Sequence, residues 1–271
     1  MTITHILILL ATGVGVGFAT GLLGVGGAFI TVPVTYWVVA DMGVSPDMAI
    51  KIAFGTNLLV ILPTAISGTL GHNRRGAVRW KVALGLGLCG LAGALLGATL
   101  ATHLPGETLR VGFGALVLAV ALWMGLDTTL NLTKERGEQK ESLVSLAPCG
   151  FLIGMITGLA GIGGGILAVP LLALAFGFPM HLAVGTSTAM IIFTSLGGVI
   201  GYAVNSPGVL EPLPYSIGYV SLPIWLCLAV ASVPMAQLGA KVSHALPAKR
   251  LRYVFIAIMV YVGLKMLGVV L

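Results

Sequence analysis

From Ser142 to Leu210 this chain contains no Asp, Glu, Lys or Arg. Shorter uncharged runs cover Met1–Ala40, Ile52–Asn73 and Val82–Gly106. A membrane-spanning helix needs about 20 predominantly apolar residues, so the longest run has room for several. Charged residues make up 8% of the 271 and the mean hydropathy is +1.08. A soluble domain carries roughly 25% charged residues. A chain this poor in charge cannot cover its surface with polar groups, so lipid is its solvent. The predicted fold class is an all-α integral membrane protein. Met1–Leu10 has no basic residue ahead of its apolar stretch, unlike a secretory signal, and reads as a first helix kept in the mature protein.

The chain repeats itself. Gly17–Pro33 and Gly154–Pro170 match at 9 of 17 positions without a gap. Gly55-Thr56-Asn57 then corresponds to Gly185-Thr186-Ser187, Leu96-Gly97-Ala98 to Leu238-Gly239-Ala240, and Leu109-Arg110 to Leu251-Arg252. A repeat on this scale makes one transmembrane domain, 1–271, out of a first half (1–126) and a second half (142–271), joined by a charged linker (127–141). Each half is expected to hold five apolar segments. These are roughly 3–23, 27–40, 47–71, 80–101 and 108–126, then 144–160, 164–178, 180–203, 217–240 and 250–271. In each half a short pair, broken by glycines, precedes three longer helices.

Lys and Arg set the orientation. Between the third and fourth segments the first half has Arg74, Arg75, Arg79 and Lys81, and the second half has none. Between the fourth and fifth the bias reverses, with Arg110 alone against Lys241, Lys249, Arg250 and Arg252. The halves are therefore expected to insert with inverted topology. Loops 72–81 and 241–250 and the linker would be cytoplasmic, and both termini outside. Each glycine-broken pair must then cross twice or dip in without crossing. Inverted repeats are a hallmark of secondary transporters.

Gly24, Gly26 and Gly27 interrupt one apolar run, and Gly161, Gly163, Gly164 and Gly165 the other. A broken backbone in lipid is tolerated where it lines a cavity or is buried in protein, and paired breaks point to a binding site. The helices that restart near Ala28 and Ile166 would present free N–H groups to an anion. Close helix packing is the competing reading. Thr56, Asn57, Thr186 and Ser187, in the third segments, can hydrogen-bond an oxyanion or simply bond helix to helix. Pro63 should kink the first of those segments. Lys51 and His181 stand at equivalent positions as candidate cationic contacts; Lys51 would otherwise snorkel to the headgroups, and His181 would serve as an interface histidine. His72 reads as a membrane-edge residue.

Every acidic residue falls in an expected loop or at a segment end, so no deep carboxylate offers ion coupling. A coupling proton would use a histidine or a terminal acid, and sodium would use carbonyls at the breaks. Cys89, Cys149 and Cys227 lack metal or redox spacing, and no cofactor or metal is expected. No basic arm with interleaved aromatics suggests nucleic acid. No Ser–His–Asp or histidine cluster suggests an enzyme.

The two TG-L-x-G-x-GG segments, each leading to a VP, and the two GT-[NS] segments resemble the TauE/SafE sulfite-exporter family, also called the toluene sulfonate uptake permease family. The resemblance covers about residues 5–270. It implies a bacterial or archaeal plasma-membrane transporter for a small sulfur-containing anion such as sulfite, sulfoacetate, a sulfonate or thiosulfate. A passive channel for small oxyanions is the alternative. Ala28 stands where the second cluster has Gly165, which would make the first break less permissive. A homodimer is one assembly the sequence allows.

Overall fold

The computed structural model describes residues 1–130, 143–205, 213–243 and 248–269. Among these residues ten α-helices carry the fold. In the first half they are α1 (Ile3–Leu23), α2 (Ala28–Asp41), α3 (Pro46–Asn73), α4 (Trp80–His103) and α5 (Gly106–Leu130). In the second they are α6 (Leu143–Ala160), α7 (Gly165–Pro170), α8 (Met180–Val204), α9 (Leu222–Ser243) and α10 (Ala248–Met266). Six of them (α1, α3, α4, α8, α9 and, over Gly106–Trp123, α5) are long and apolar enough to cross a membrane. Leu7, Leu88, Leu122, Leu152 and Val230 are all more than half exposed. On a soluble protein such a belt would cost about 1.5–3 kcal/mol per large side chain left in water; in a bilayer it is the lipid face.

Local chemistry explains the helix ends. Thr2 caps α1 and shares a reciprocal capping box with His5. Pro46 opens α3, where its missing N–H costs nothing. Gly24 ends α1 in the left-handed region, at φ 67°. Pro63 lies inside α3, which stays helical through it instead of breaking. Proline at 63 leaves the carbonyl of Leu59 without its helical donor, and the Trp225 indole N–H donates to that carbonyl at 3.1 Å.

Helix pairing crosses between the halves. Gly13, Gly17 and Gly21 of α1 lie against Leu228, Ser232 and Ala236 of α9, so the two helices run parallel. Gly150, Gly154 and Gly158 of α6 lie in the same way against Leu86, Gly90 and Ala94 of α4. A Cβ on any of these six glycines would meet neighbouring backbone, so the helices approach as closely as bare backbone allows. At the centre, α3 and α8 run antiparallel. Gly55 meets Tyr202, Leu58 meets Gly198 and Gly68 meets Thr188. In the equivalence of the halves α1 answers to α6 and α4 to α9, so each of these contacts has its counterpart.

Several expected boundaries move. Residues 127–130 form the last turn of α5 rather than the start of a linker, while 131–142 lie outside the described residues. Asp127 is therefore helical. The segment expected at 217–240 begins with a hairpin, β1 (Ser216–Ile217) paired antiparallel to β2 (Val220–Ser221), and α9 starts only at Leu222. The segment expected at 164–178 is α-helical only to Pro170; a π-turn follows over Leu171–Ala175. Phe176 N–H there reaches the Leu171 carbonyl at 3.4 Å. Glu211 lies outside the described residues.

Candidate functional site

Both glycine breaks adopt one backbone conformation. Gly24, Gly26 and Gly27 have φ of 67°, 83° and 63°; Gly161, Gly163 and Gly164 have 64°, 79° and 86°. Three left-handed residues in four are strained for any side chain but free for glycine. Ala28 and Gly165 are the first residues of the following helices, outside the left-handed set. Alanine at 28 therefore does not make the first break less permissive.

The breaks meet each other in the interior. A Cβ on Gly26 would lie 3.1 Å from the Ile162 carbonyl oxygen, and one on Gly165 would strike the carbonyl of Gly24. Ile61 of α3 borders both Gly26 and Gly163. After the first break α2 runs for 14 residues, about 21 Å at 1.5 Å per residue, and returns beside the start of α1. His5 Nε2 lies 3.0 Å from Asp41 Oδ2 at that end. After the second break α7 has only six residues, so α2 presents much the fuller helix dipole.

The polar residues of the third helices stitch the halves together. Asn57 Nδ2 donates to the Gly161 carbonyl at 2.5 Å, and Ser187 Oγ donates to the Gly24 carbonyl at 3.2 Å. Each is fully buried and ties its own half to the other half's break. Their neighbours face the connectors. Thr56 Oγ1 accepts from the backbone N–H of Ser221 at 2.9 Å, and Thr186 Oγ1 accepts from that of Arg79 at 3.0 Å. Each threonine thus supplies an acceptor just ahead of the other half's fourth helix.

Lys51 and His181 stand apart from the breaks. Lys51 is buried near the start of α3, six residues before Asn57, or about 9 Å along the helix. Its ammonium pairs with Asp47 Oδ2 at 3.0 Å, and the other Asp47 oxygen accepts from the N–H of Gly106. His181 is exposed in the first turn of α8. His72, in the last turn of α3, is fully buried and faces the carbonyl of Gly21 at 2.8 Å. At the hairpin, burial and then the charge of Asp47 push the Tyr219 phenol above its ordinary range.

Two further residues at the second break escape the sequence reading. Thr194 Oγ1 donates to the Gly163 carbonyl at 2.8 Å. Thr157 is 1% exposed, and a Cβ on Gly164 would lie 2.6 Å from its hydroxyl. Thr157 opens the TGLAGIGGG motif, so the signal was present in the repeat. Thr194 carried none beyond its place two turns after Ser187.

Comparison with known proteins shows the family to which the chain belongs. The family model for the sulfite exporter TauE/SafE matches residues 9–266. This chain belongs to the TauE/SafE family. It is 32% identical to a "probable membrane transporter protein" of Methanocaldococcus jannaschii, over 96% of this chain and 94% of the relative. It is 30% identical to a protein of the same description from Haemophilus influenzae, over 97% and 98%. A Bacillus subtilis relative with that description is 28% identical, over 89% and 88%. No solved structure matches. The TauE/SafE chain is thus a multi-pass, all-α membrane protein of a transporter family, and its paired breaks meet in the interior of the protein.

Proposed function

We propose that this TauE/SafE protein is a secondary carrier, not an enzyme, for a small sulfur-containing anion such as sulfite, sulfoacetate, a sulfonate or thiosulfate, in a prokaryotic plasma membrane. The observation that carries the reading is the meeting of two conformationally matched glycine breaks in the interior, each bonded to the other half's third helix. A carrier needs a site held jointly by two bodies that can shift against each other. Backbone N–H groups at the breaks and at the start of α2 would take the oxyanion, which favours donors and positive helix ends. Thr56 and Thr186 receive their bonds as acceptors, so their own hydroxyl hydrogens are not spent in those bonds.

The proposed orientation puts both termini outside, with the 72–81 loop, the linker and the α9–α10 connection in the cytoplasm. Two features support it. The equivalent helices α3 and α8 run antiparallel, as inverted repeats require. Arg75 donates to the Ala240 carbonyl at 2.6 Å, beside Lys241, so two basic connections share one end of the molecule.

The test is uptake by proteoliposomes holding the purified protein, offered sulfite, thiosulfate, sulfoacetate and taurine. Saturable, exchange-type flux of at least one is expected. No flux and no binding for all four would remove the substrate reading. Steady, non-saturating currents would replace the carrier with a channel.

A further inference from the structure

The two breaks match in backbone but not in polar surroundings. At the first, the two threonines equivalent to Thr157 and Thr194 turn away, while Thr31 Oγ1 donates to the Gly27 carbonyl at 3.3 Å. Thr20 Oγ1 donates to the Val16 carbonyl of its own helix at 2.8 Å. Thr64 Oγ1 donates to Val60 at 2.7 Å and meets Ser232 Oγ at 2.8 Å. At the second, the equivalent hydroxyls face the glycines. Thr157 Oγ1 points at Gly164, is buried and has no hydrogen-bond partner among the described residues. Thr194 Oγ1 spends its hydrogen on the Gly163 carbonyl and keeps its lone pairs. Asn57 Nδ2 is engaged with the Gly161 carbonyl, while the fully buried Asn57 Oδ1 has no partner among the described residues.

Of the side-chain groups at the second break, Asn57 Oδ1 and Thr157 Oγ1 have no partner among the described residues, and Thr194 Oγ1 and the carbonyls of Gly161 and Gly163 each keep a lone pair beyond the bond they make. Buried oxygens left without partners are costly, and a cation would satisfy several of them at once. We infer that the second glycine break binds a monovalent metal cation, sodium by preference, through Asn57, Thr157, Thr194 and the Gly161 and Gly163 carbonyls.

Charge argues the same way. No Asp, Glu, Lys or Arg occurs in Met1–Ala40, Ile52–Asn73 or Ser142–Leu210. These runs supply α1, α6, α7, α8 and most of α2 and α3, the helices that bound the breaks. An oxyanion entering there meets no Lys or Arg from these runs, and an isolated charge in a low-dielectric interior is strongly disfavoured. A co-bound cation offsets it. The all-neutral ligand set selects against divalent ions, whose sites are built with carboxylates. It also selects against a proton, because amide and hydroxyl oxygens do not take one near neutral pH. Unwound carbonyls beside helix breaks suit sodium. The inference rests on the carrier reading above and names its coupling ion.

The experiment is direct binding of radioactive ²²Na⁺ to the purified protein without any sulfur compound, with choline as the replacement cation. Wild type is expected to bind saturably, and Thr157→Val to bind about tenfold to a hundredfold more weakly. Thr157→Ser, which keeps the oxygen, should restore binding. Thr20→Val, the equivalent change at the first break, should bind like wild type. Absence of saturable ²²Na⁺ binding by wild type overturns the inference, as does equal binding by folded Thr157→Val. A second arm compares sulfite uptake by proteoliposomes with an inward sodium gradient and with choline. Sodium-stimulated uptake supports coupling. Uptake equal in choline overturns the inference and leaves the carrier standing. Sodium binding without uptake of any sulfur anion supports the ion site and removes the substrate.

Discussion

Asn57→Ala and Ser187→Ala are equivalent changes that should not cost the same. Asn57 is fully buried and donates to the Gly161 carbonyl at 2.5 Å; Ser187, equally buried, donates to Gly24 at a looser 3.2 Å. Removing either donor leaves a carbonyl at a break without that partner. Such a group costs about 1–3 kcal/mol. Asn57→Ala also deletes several buried atoms and leaves a cavity, which adds to the loss. Ser187→Ala removes one oxygen and a weaker bond, so its cost should be about 0.5–1.5 kcal/mol. Thermal unfolding of the purified proteins in detergent is therefore expected to rank wild type above Ser187→Ala above Asn57→Ala. Substrate affinity measured on the same samples separates this from a purely ligand-facing role. Free donors aimed at an anion would lose about tenfold to a hundredfold in affinity with unfolding unchanged. Both variants melting like wild type, or Ser187→Ala melting lower than Asn57→Ala, would refute the reasoning.

Gly154→Val should abolish folded protein in the membrane, because any Cβ there collides with the Gly90 carbonyl, whereas Gly15→Ala, with nothing within 4 Å, should be neutral or gain up to about 1 kcal/mol in helix propensity; fluorescence-detected size exclusion of tagged variants reads both. Thr56→Val should free the α8–α9 hairpin by orphaning the Ser221 N–H, so a cysteine at Ile217 should label faster, while Thr186→Val, acting at the Arg79 connector, should leave that rate unchanged. Cysteines at Arg75 and Lys241 should label from the same, cytoplasmic side of the membrane; labelling from opposite sides would reject the proposed orientation.

Much of the fold was legible because lipid imposes simple rules. Uncharged runs long enough to span gave helices α1, α3, α4 and α8 to within a few residues, and the duplication announced where the backbone breaks. What escaped depends on partners distant in sequence. The Gly13-Gly17-Gly21 and Gly150-Gly154-Gly158 stripes are plain in the chain, but nothing local says that they face α9 and α4. Pro63 is legible as a proline inside a helix, but the partner of the carbonyl it frees, Trp225, lies 162 positions later. The hairpin before α9 has two residues per strand, too short for alternation to register. At the candidate site the glycines were readable from spacing alone. The direction of Thr56 and Thr186, and the inward turn of Thr157 and Thr194, follow from packing that no single sequence displays.

The stitching has an energetic consequence for any carrier built this way. On each third helix two adjacent residues point in different directions, since neighbours are about 100° apart around a helix. One engages the opposite break and the next engages the opposite connector: Asn57 with Thr56, Ser187 with Thr186. Disrupting all four bonds at once would cost about 2–6 kcal/mol at about 0.5–1.5 kcal/mol each; releasing one helix's pair costs half of that. A rearrangement that frees α3 while α8 holds, and then the reverse, therefore crosses a lower barrier than a symmetric one. Because Asn57 bonds more tightly than Ser187, and the second break carries the inward hydroxyls, the two steps are unequal. The duplicated backbone supplies two matched breaks, and side chains that differ between the halves make one pair of bonds easier to release than the other.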